Sequence, residues 1–330
     1  MSKAIKPPEF TKLINLASEK LGGKAIACSD DFFAPMANLI KPGRGVFIAD
    51  RYTEHGKWMD GWESRRKRTP GHDWCIVKLG VAGVIKGFDV DTNHFLGNHP
   101  PHCSIEACFS QKENPEDAKW VELLSKSALD PGSQHFFEVD NSQTWTHVKL
   151  HIYPDGGVAR LKVYGEVRKD WREVKDNEAI DLVAAVNGGK AISCNDMFFS
   201  HMDNIIMPGK GMNMRDGWET KRSRIPNNQD WVIIRLACKG SPEMIVIDTH
   251  HFKGNYPDSC QLEGCVSDSD ANLEKCNWGI ILPPSKLEAH HEHVFENEIQ
   301  DHGPFTHVKL TIFPDGGISR LRLWGHFSKD

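Results

Sequence analysis

No stretch of this chain is apolar for about 18 consecutive residues, so no helix is expected to span a membrane. The opening MSKAIKPPEFTKLINLASEKLGGK alternates charged with apolar residues, and without an unbroken apolar segment it does not read as a secretory signal. No long Lys/Arg block occurs and the formal net charge is −5, so the basic face that a phosphate backbone needs is missing and nucleic acid is not an expected partner. The nine cysteines are an odd number without Cys-x-x-Cys spacing, which fits reduced thiols and a cytoplasmic address better than a disulfide framework. Tyrosine is scarce, at 4 residues, which weighs against a surface that stacks sugars on aromatic rings.

What is present is a duplication. The 330 residues suffice for two domains of about 150, each able to bury a core without disulfide or metal. THVKLHIYPDGGVARLKVYG (146–165) recurs as THVKLTIFPDGGISRLRLWG (306–325), identical at about two-thirds of positions. Upstream, GGKAIACSDDFF (22–33) pairs with GGKAISCNDMFF (188–199), DGWESRRKR (60–68) with DGWETKRSR (216–224), and DVDTNHFLGNHP (89–100) with VIDTHHFKGNYP (246–257). The order is kept, so a whole domain is repeated. We place the first repeat at 1–170 and the second at 177–330, with the charged EVRKDWREVKDNEAID (166–181) as linker. The first copy carries a longer loop, VFIADRYTEHGKWM (46–59), where the second has only MNMR (212–215).

Each copy reads as mostly β. Val148, Leu150 and Ile152 alternate with Lys149, His151 and Tyr153, the two-residue period of a half-buried strand, and Val308, Leu310 and Ile312 repeat it. Pro-Asp-Gly-Gly then predicts a hairpin turn before a second strand. WCIVKLG (74–80) and WVIIRLA (231–237) are too short and β-branched for helices. Brief amphipathic helices are expected only around Phe10–Lys20 and Ala179–Ala185. The sum is an antiparallel β-sandwich or jelly roll in each half.

CSDDFFAP with NLIKPG (28–43), DGWESRRKRTPGHDWCIVKLG (60–80), DVDTNHFLGNHPP (89–101) and YPDGGVARLKVYG (153–165) resemble the allantoicase family over nearly the whole chain, in both copies. The resemblance implies two tandem galactose-binding-like sandwiches. It also implies a homo-oligomeric enzyme of purine and allantoin breakdown that turns allantoate and water into (S)-ureidoglycolate and urea. Such a hydrolase acts on a non-peptide C–N bond of a linear amidine.

A small anionic ureide asks for a guanidinium to hold its carboxylate and for groups that move protons. The segments at 60–68 and 216–224 offer both: Arg65, Arg66, Arg68, Arg222 and Arg224 as substrate-binding candidates, with Asp60, Glu63, Asp216 and Glu219 as acid–base candidates. The plain alternative is a solvated loop of surface ion pairs. Asp-Thr-x-His-Phe supplies the other catalytic candidates, Asp91 with His94 and Asp248 with His251, where a carboxylate can orient an imidazole. Alternatively the Asp caps the following turn and the His packs. His147 and His307 read as structural, and Arg160 and Arg320 as fold-keeping partners of Asp155 and Asp315. Neither His94/His99/His102 nor His-His-Glu-His (290–293) has His-Glu-x-x-His spacing, so no metal or other cofactor is expected. The rival reading is a carbohydrate-binding β-sandwich protein without catalysis.

Overall fold

The computed structural model describes residues 6–115, 117–175 and 177–328; the first five residues of the opening stretch and Asp176 of the linker lie outside them. The chain divides into two compact units, 1–168 and 169–330. The latter part of the charged linker packs within the second unit, where Lys169 Nζ donates to Asn187 Oδ1 at 2.6 Å and the Trp171 ring lies 5.9 Å from Phe327.

In the first repeat one 19-residue strand, Asp73–Asp91, organises the fold. Its apolar run is long enough to serve two sets of neighbours. The beginning pairs with Lys24–Cys28 and Thr144–Tyr153, while the end pairs with Arg160–Val167 and Gln134–Glu138. His102–Cys108 continues beyond Thr144–Tyr153, followed by Val121–Ala128, and Ile14–Asn15 edges Arg160–Val167; every pairing is antiparallel. The second repeat rebuilds this order around Asp230–Asp248. Val148, Leu150 and Ile152 are fully buried, as are Val308, Leu310 and Ile312, so the predicted alternation fixes the core face of each sandwich.

Two expectations about local structure are corrected. Among the described residues there is no α-helix. The segment around Phe10–Lys20 forms the 3-10 turns Glu9–Lys12 and Glu19–Leu21 with the strand Ile14–Asn15 between them, and Ala179–Ala185 holds the strand Ile180–Asp181 before a 3-10 turn. A lone helix of this length is marginal in water, whereas extended chain here satisfies a sheet edge and buries Leu16 and Ala17 completely. Pro-Asp-Gly-Gly is also not a hairpin. The strands before and after it do not pair with each other but with different halves of Asp73–Asp91, so the turn carries the chain from one side of the long strand to the other.

The two glycines of that turn have distinct work. Gly156 sits at φ 136° and Gly316 at φ 138°, conformations that side chains disfavour. At Gly157 a Cβ would come within 2.0 Å of the buried Phe95 ring, and at Gly317 within 1.9 Å of Phe252. The second glycine thus makes the socket for the Phe of Asp-Thr-x-His-Phe, docking one motif on another. Gly157–Val158 pairs in turn with Trp62–Glu63, and Gly317–Ile318 with Trp218–Glu219, which brings the third motif to the same place.

Candidate active site

Trp62 is fully buried and its indole N–H donates to Asp30 O at 2.8 Å; Trp218 does the same to Asp196 O. These anchors hold the following Glu at the edge of the loop cluster. Asn98 Nδ2 donates to Glu63 Oε1 at 2.6 Å, and Asn255 makes the same bond to Glu219. Burial pushes the pKa of both glutamates up, with the Asn hydrogen bond opposing it. Each is a carboxyl group that keeps its proton more readily than an exposed one.

The loop that follows is set by Asp155, whose Oδ2 accepts from Lys67 N at 2.8 Å, and by Asp315, which accepts from Ser223 N at 2.8 Å. In the second repeat Glu219, Arg222, Asn255, Tyr256 and Phe199 line a cavity of about 460 Å³, within the range of small-molecule sites. The matching residues of the first repeat are Glu63, Arg66, Asn98, His99 and Phe33. Arg66 and Arg222 are exposed and have no carboxylate partner among the described residues, leaving their guanidinium groups available to an anion. Arg68 and Arg224 are likewise exposed. Arg65 is not available: its Nε and backbone N–H both go to Asp30, at 2.7 and 2.8 Å.

The other candidates are placed differently from expectation. Asp91 is fully buried and takes two hydrogen bonds from Arg44, at 2.7 and 2.8 Å, and one from Asn93 N, so its carboxylate does not orient His94. His94 is exposed at φ 68°, with its ring 5.6 Å from Phe47. Asp248 is bound by His250 rather than by His251, whose Nε2 bonds Gly211 O at 2.8 Å. The reason is the backbone: Asp sits at the strand end, facing inward, and the left-handed residue two positions after Thr turns the imidazole away. Lys210 replaces Arg44 and His250 replaces Asn93 in the second copy, so the buried carboxylate exchanges an Arg partner for a His partner.

Asp60 and Asp216 are also committed. Asp60 pairs with Arg160 at 2.7 Å and accepts from Val46 N; Asp216 pairs with Arg320 at 3.1 Å and accepts from Met212 N. Arg160 and Arg320 are therefore fold-keeping as expected, but their partners are Asp60 and Asp216, not Asp155 and Asp315. Asp60 and Asp91 thus tie the loop at 44–46 beside the site, and Asp216 ties the one at 210–212. His147 is fully buried between Thr146 and the Glu113 carbonyl, a structural position. The residue that sequence reasoning passed over is Asn98 with its mate Asn255; the signal was a Gly-Asn retained in both copies.

Comparison with known proteins agrees with the motifs. The family model described as allantoicase repeat matches residues 14–168 and again 180–328. A protein named probable allantoicase from Pseudomonas fluorescens is 50% identical over 325 residues, covering 97% of this chain and 98% of its own. One of the same name from Photobacterium profundum is 48% identical over 334 residues, with 100% of both covered. The crystal structure of allantoicase from Saccharomyces cerevisiae superposes with a TM-score of 0.81 at 39% identity, over 96% of this chain and 93% of that one. With both repeats matched and half its residues shared over the full length, this chain belongs to the allantoicase family.

Proposed function

We propose that this protein hydrolyses allantoate to (S)-ureidoglycolate and urea, cleaving a C–N bond of a linear amidine within allantoin degradation. The observation that carries the reading is the Glu–Asn pair with an unpaired Arg, kept in both copies and lining a cavity in the second, in a chain half identical to proteins named probable allantoicase.

Arg222 holds the substrate carboxylate with two charge-assisted hydrogen bonds, of about 1.5–3 kcal/mol each. Asn255 fixes Glu219 and offers its carbonyl to a ureido N–H. Glu219, whose pKa burial raises so that it holds a proton more readily than an exposed carboxyl group, delivers that proton to the departing ureido nitrogen. The carboxylate so formed takes a proton from the water whose oxygen ends on the central carbon. One water is consumed, one urea leaves, and Glu219 regains its proton. Glu63, Arg66 and Asn98 repeat the arrangement in the first copy.

The cytoplasmic address is part of the proposal and is supported by nine free thiols. So is a homo-oligomer, supported by the exposed Phe32, Phe47 and Tyr52 of the first repeat. The carbohydrate-binding alternative is not favoured by the full-length matches. The test is direct: purified full-length protein is incubated with allantoate and urea is assayed. Stoichiometric urea supports the reading, and none at micromolar enzyme removes it.

A further inference from the structure

The face of the closing strand opposite the core was expected to meet solvent, yet His151 is only 8% exposed. Its Nε2 lies 2.8 Å from Glu106 Oε2 on the adjacent strand, and its Nδ1 lies 2.9 Å from His72 Nε2. The order of protons along this chain is dictated by its end. An ionised Glu106 only accepts, so His151 carries its proton on Nε2; neutral His151 then accepts at Nδ1, and His72 must donate from Nε2. The Nδ1 lone pair of His72 is left as a base, with no partner among the described residues.

Beside it stands an uncompensated cation. In the pairing register Glu106 faces Lys149, but its carboxylate is taken by His151. The Lys149 ammonium instead lies 4.8 Å from the Trp74 ring centre and 5.9 Å from that of Trp120, with no carboxylate partner among the described residues. The second repeat keeps the Glu, Lys and both Trp but puts Thr311 and Gln229 where His151 and His72 stand. There Glu263 is released and pairs with Lys309 at 2.7 Å. The same backbone therefore gives a neutralised pair in one copy, and a free cation beside a free base in the other.

We propose that the outer sheet face of the first repeat is a binding site for a small ureido carboxylate, with Lys149 holding the carboxylate and His72 Nδ1 accepting a ureido N–H. None of these residues takes part in the arrangement around Glu63. Burial lowers the pKa of both histidines, with Lys149 pushing the same way and Glu106 opposing, which favours the neutral form of each ring. The charged and titratable groups facing His72 are Lys67 and Asp73 from its own segment, Lys149, His151 and Tyr153 from the closing strand, and Glu106 from the next. Should a proton arrive at His72 Nδ1, the Nε2 proton passes to His151 Nδ1 and the His151 Nε2 proton to Glu106. Every group then ends neutral and both imidazoles have exchanged tautomers.

The experiment uses the full chain with 15N-labelled histidine and N-carbamoylglycine, a ureido acid with no second ureido group to lose. Imidazole nitrogen signals are followed by NMR during titration. The expected result is Nε2-protonated rings at His72 and His151, both shifting saturably, and shifting equally in Glu63→Gln/Glu219→Gln protein. Lys149→Gln should weaken binding about tenfold or more, as expected for losing one charge-assisted contact. His151→Thr, which copies the second repeat, should weaken it similarly with Lys149 intact, because Glu106 is freed to neutralise the ammonium. Absence of a saturable shift, or undiminished affinity in both variants, overturns the site. Since the readout is binding, failure of urea release would leave this test unaffected, and the reverse holds too.

Discussion

Replacing Asp60 by Asn separates a fold-keeping carboxylate from a reacting one. Asp60 and Arg160 are both nearly buried, 2.7 Å apart, and Arg160 Nε already lacks a partner. Removing the negative charge leaves a buried guanidinium unbalanced, at a cost of about 3–5 kcal/mol. For a repeat of this size, at roughly 2–4 °C per kcal/mol, the unfolding midpoint should fall by about 6–20 °C. Burial alone would raise the Asp60 pKa, but Arg160 and the Val46 N–H outweigh it and hold it below the usual carboxylate value. The stabilisation is therefore present above the unfolded pKa and is lost as pH falls through the folded one, so the gap between parent and variant should close in acid. Scanning calorimetry across pH, with urea release measured well below the lowered midpoint, reads both effects. An unshifted midpoint with abolished turnover would refute the structural role and return Asp60 to the chemistry.

Glu219→Gln should behave oppositely. Burial raises the folded pKa of Glu219, so the native state favours its proton and stability falls as pH rises from the unfolded pKa through the folded one. The Gln variant should be at least as stable as the parent at neutral pH, with the difference vanishing in acid; lower stability at neutral pH would count against the buried carboxyl. Arg66→Gln with Arg222→Gln should raise KM by roughly 10–100-fold with a smaller change in kcat, as loss of a carboxylate clamp requires. His94→Ala should leave urea release near the parent rate, since its imidazole has no carboxylate to orient it. A large loss there would restore the Asp91–His94 pairing as a working dyad.

The duplication and the sandwich were legible because both are written in local period and in long repeated strings. The charged segment 60–68 was legible as a candidate site because its acid and base types recur in the second copy. Which of its residues stays free was not legible, because that is settled by partners far away in the chain. Asp60 is claimed by Arg160, 100 residues on, and Asp91 by Arg44, 47 residues back. Asp30 accepts from Phe32 N in a local turn, but it also takes Arg65 out of contention. The hairpin reading of Pro-Asp-Gly-Gly failed for a similar reason: a turn signal gives the local bend, whereas the long strand between its two flanks sets the pairing.

The most direct measurement is steady-state urea release by Glu63→Gln/Glu219→Gln protein across pH, beside the Asp91→Asn/Asp248→Asn counterpart. Loss of a positioned acid–base group should lower kcat by about 10²–10⁴-fold in the glutamine variant, flatten its pH profile and leave KM nearly unchanged. Parental kcat in that variant, with activity lost instead in natively folded aspartate variants, would contradict the assignment of proton transfer to the paired glutamates.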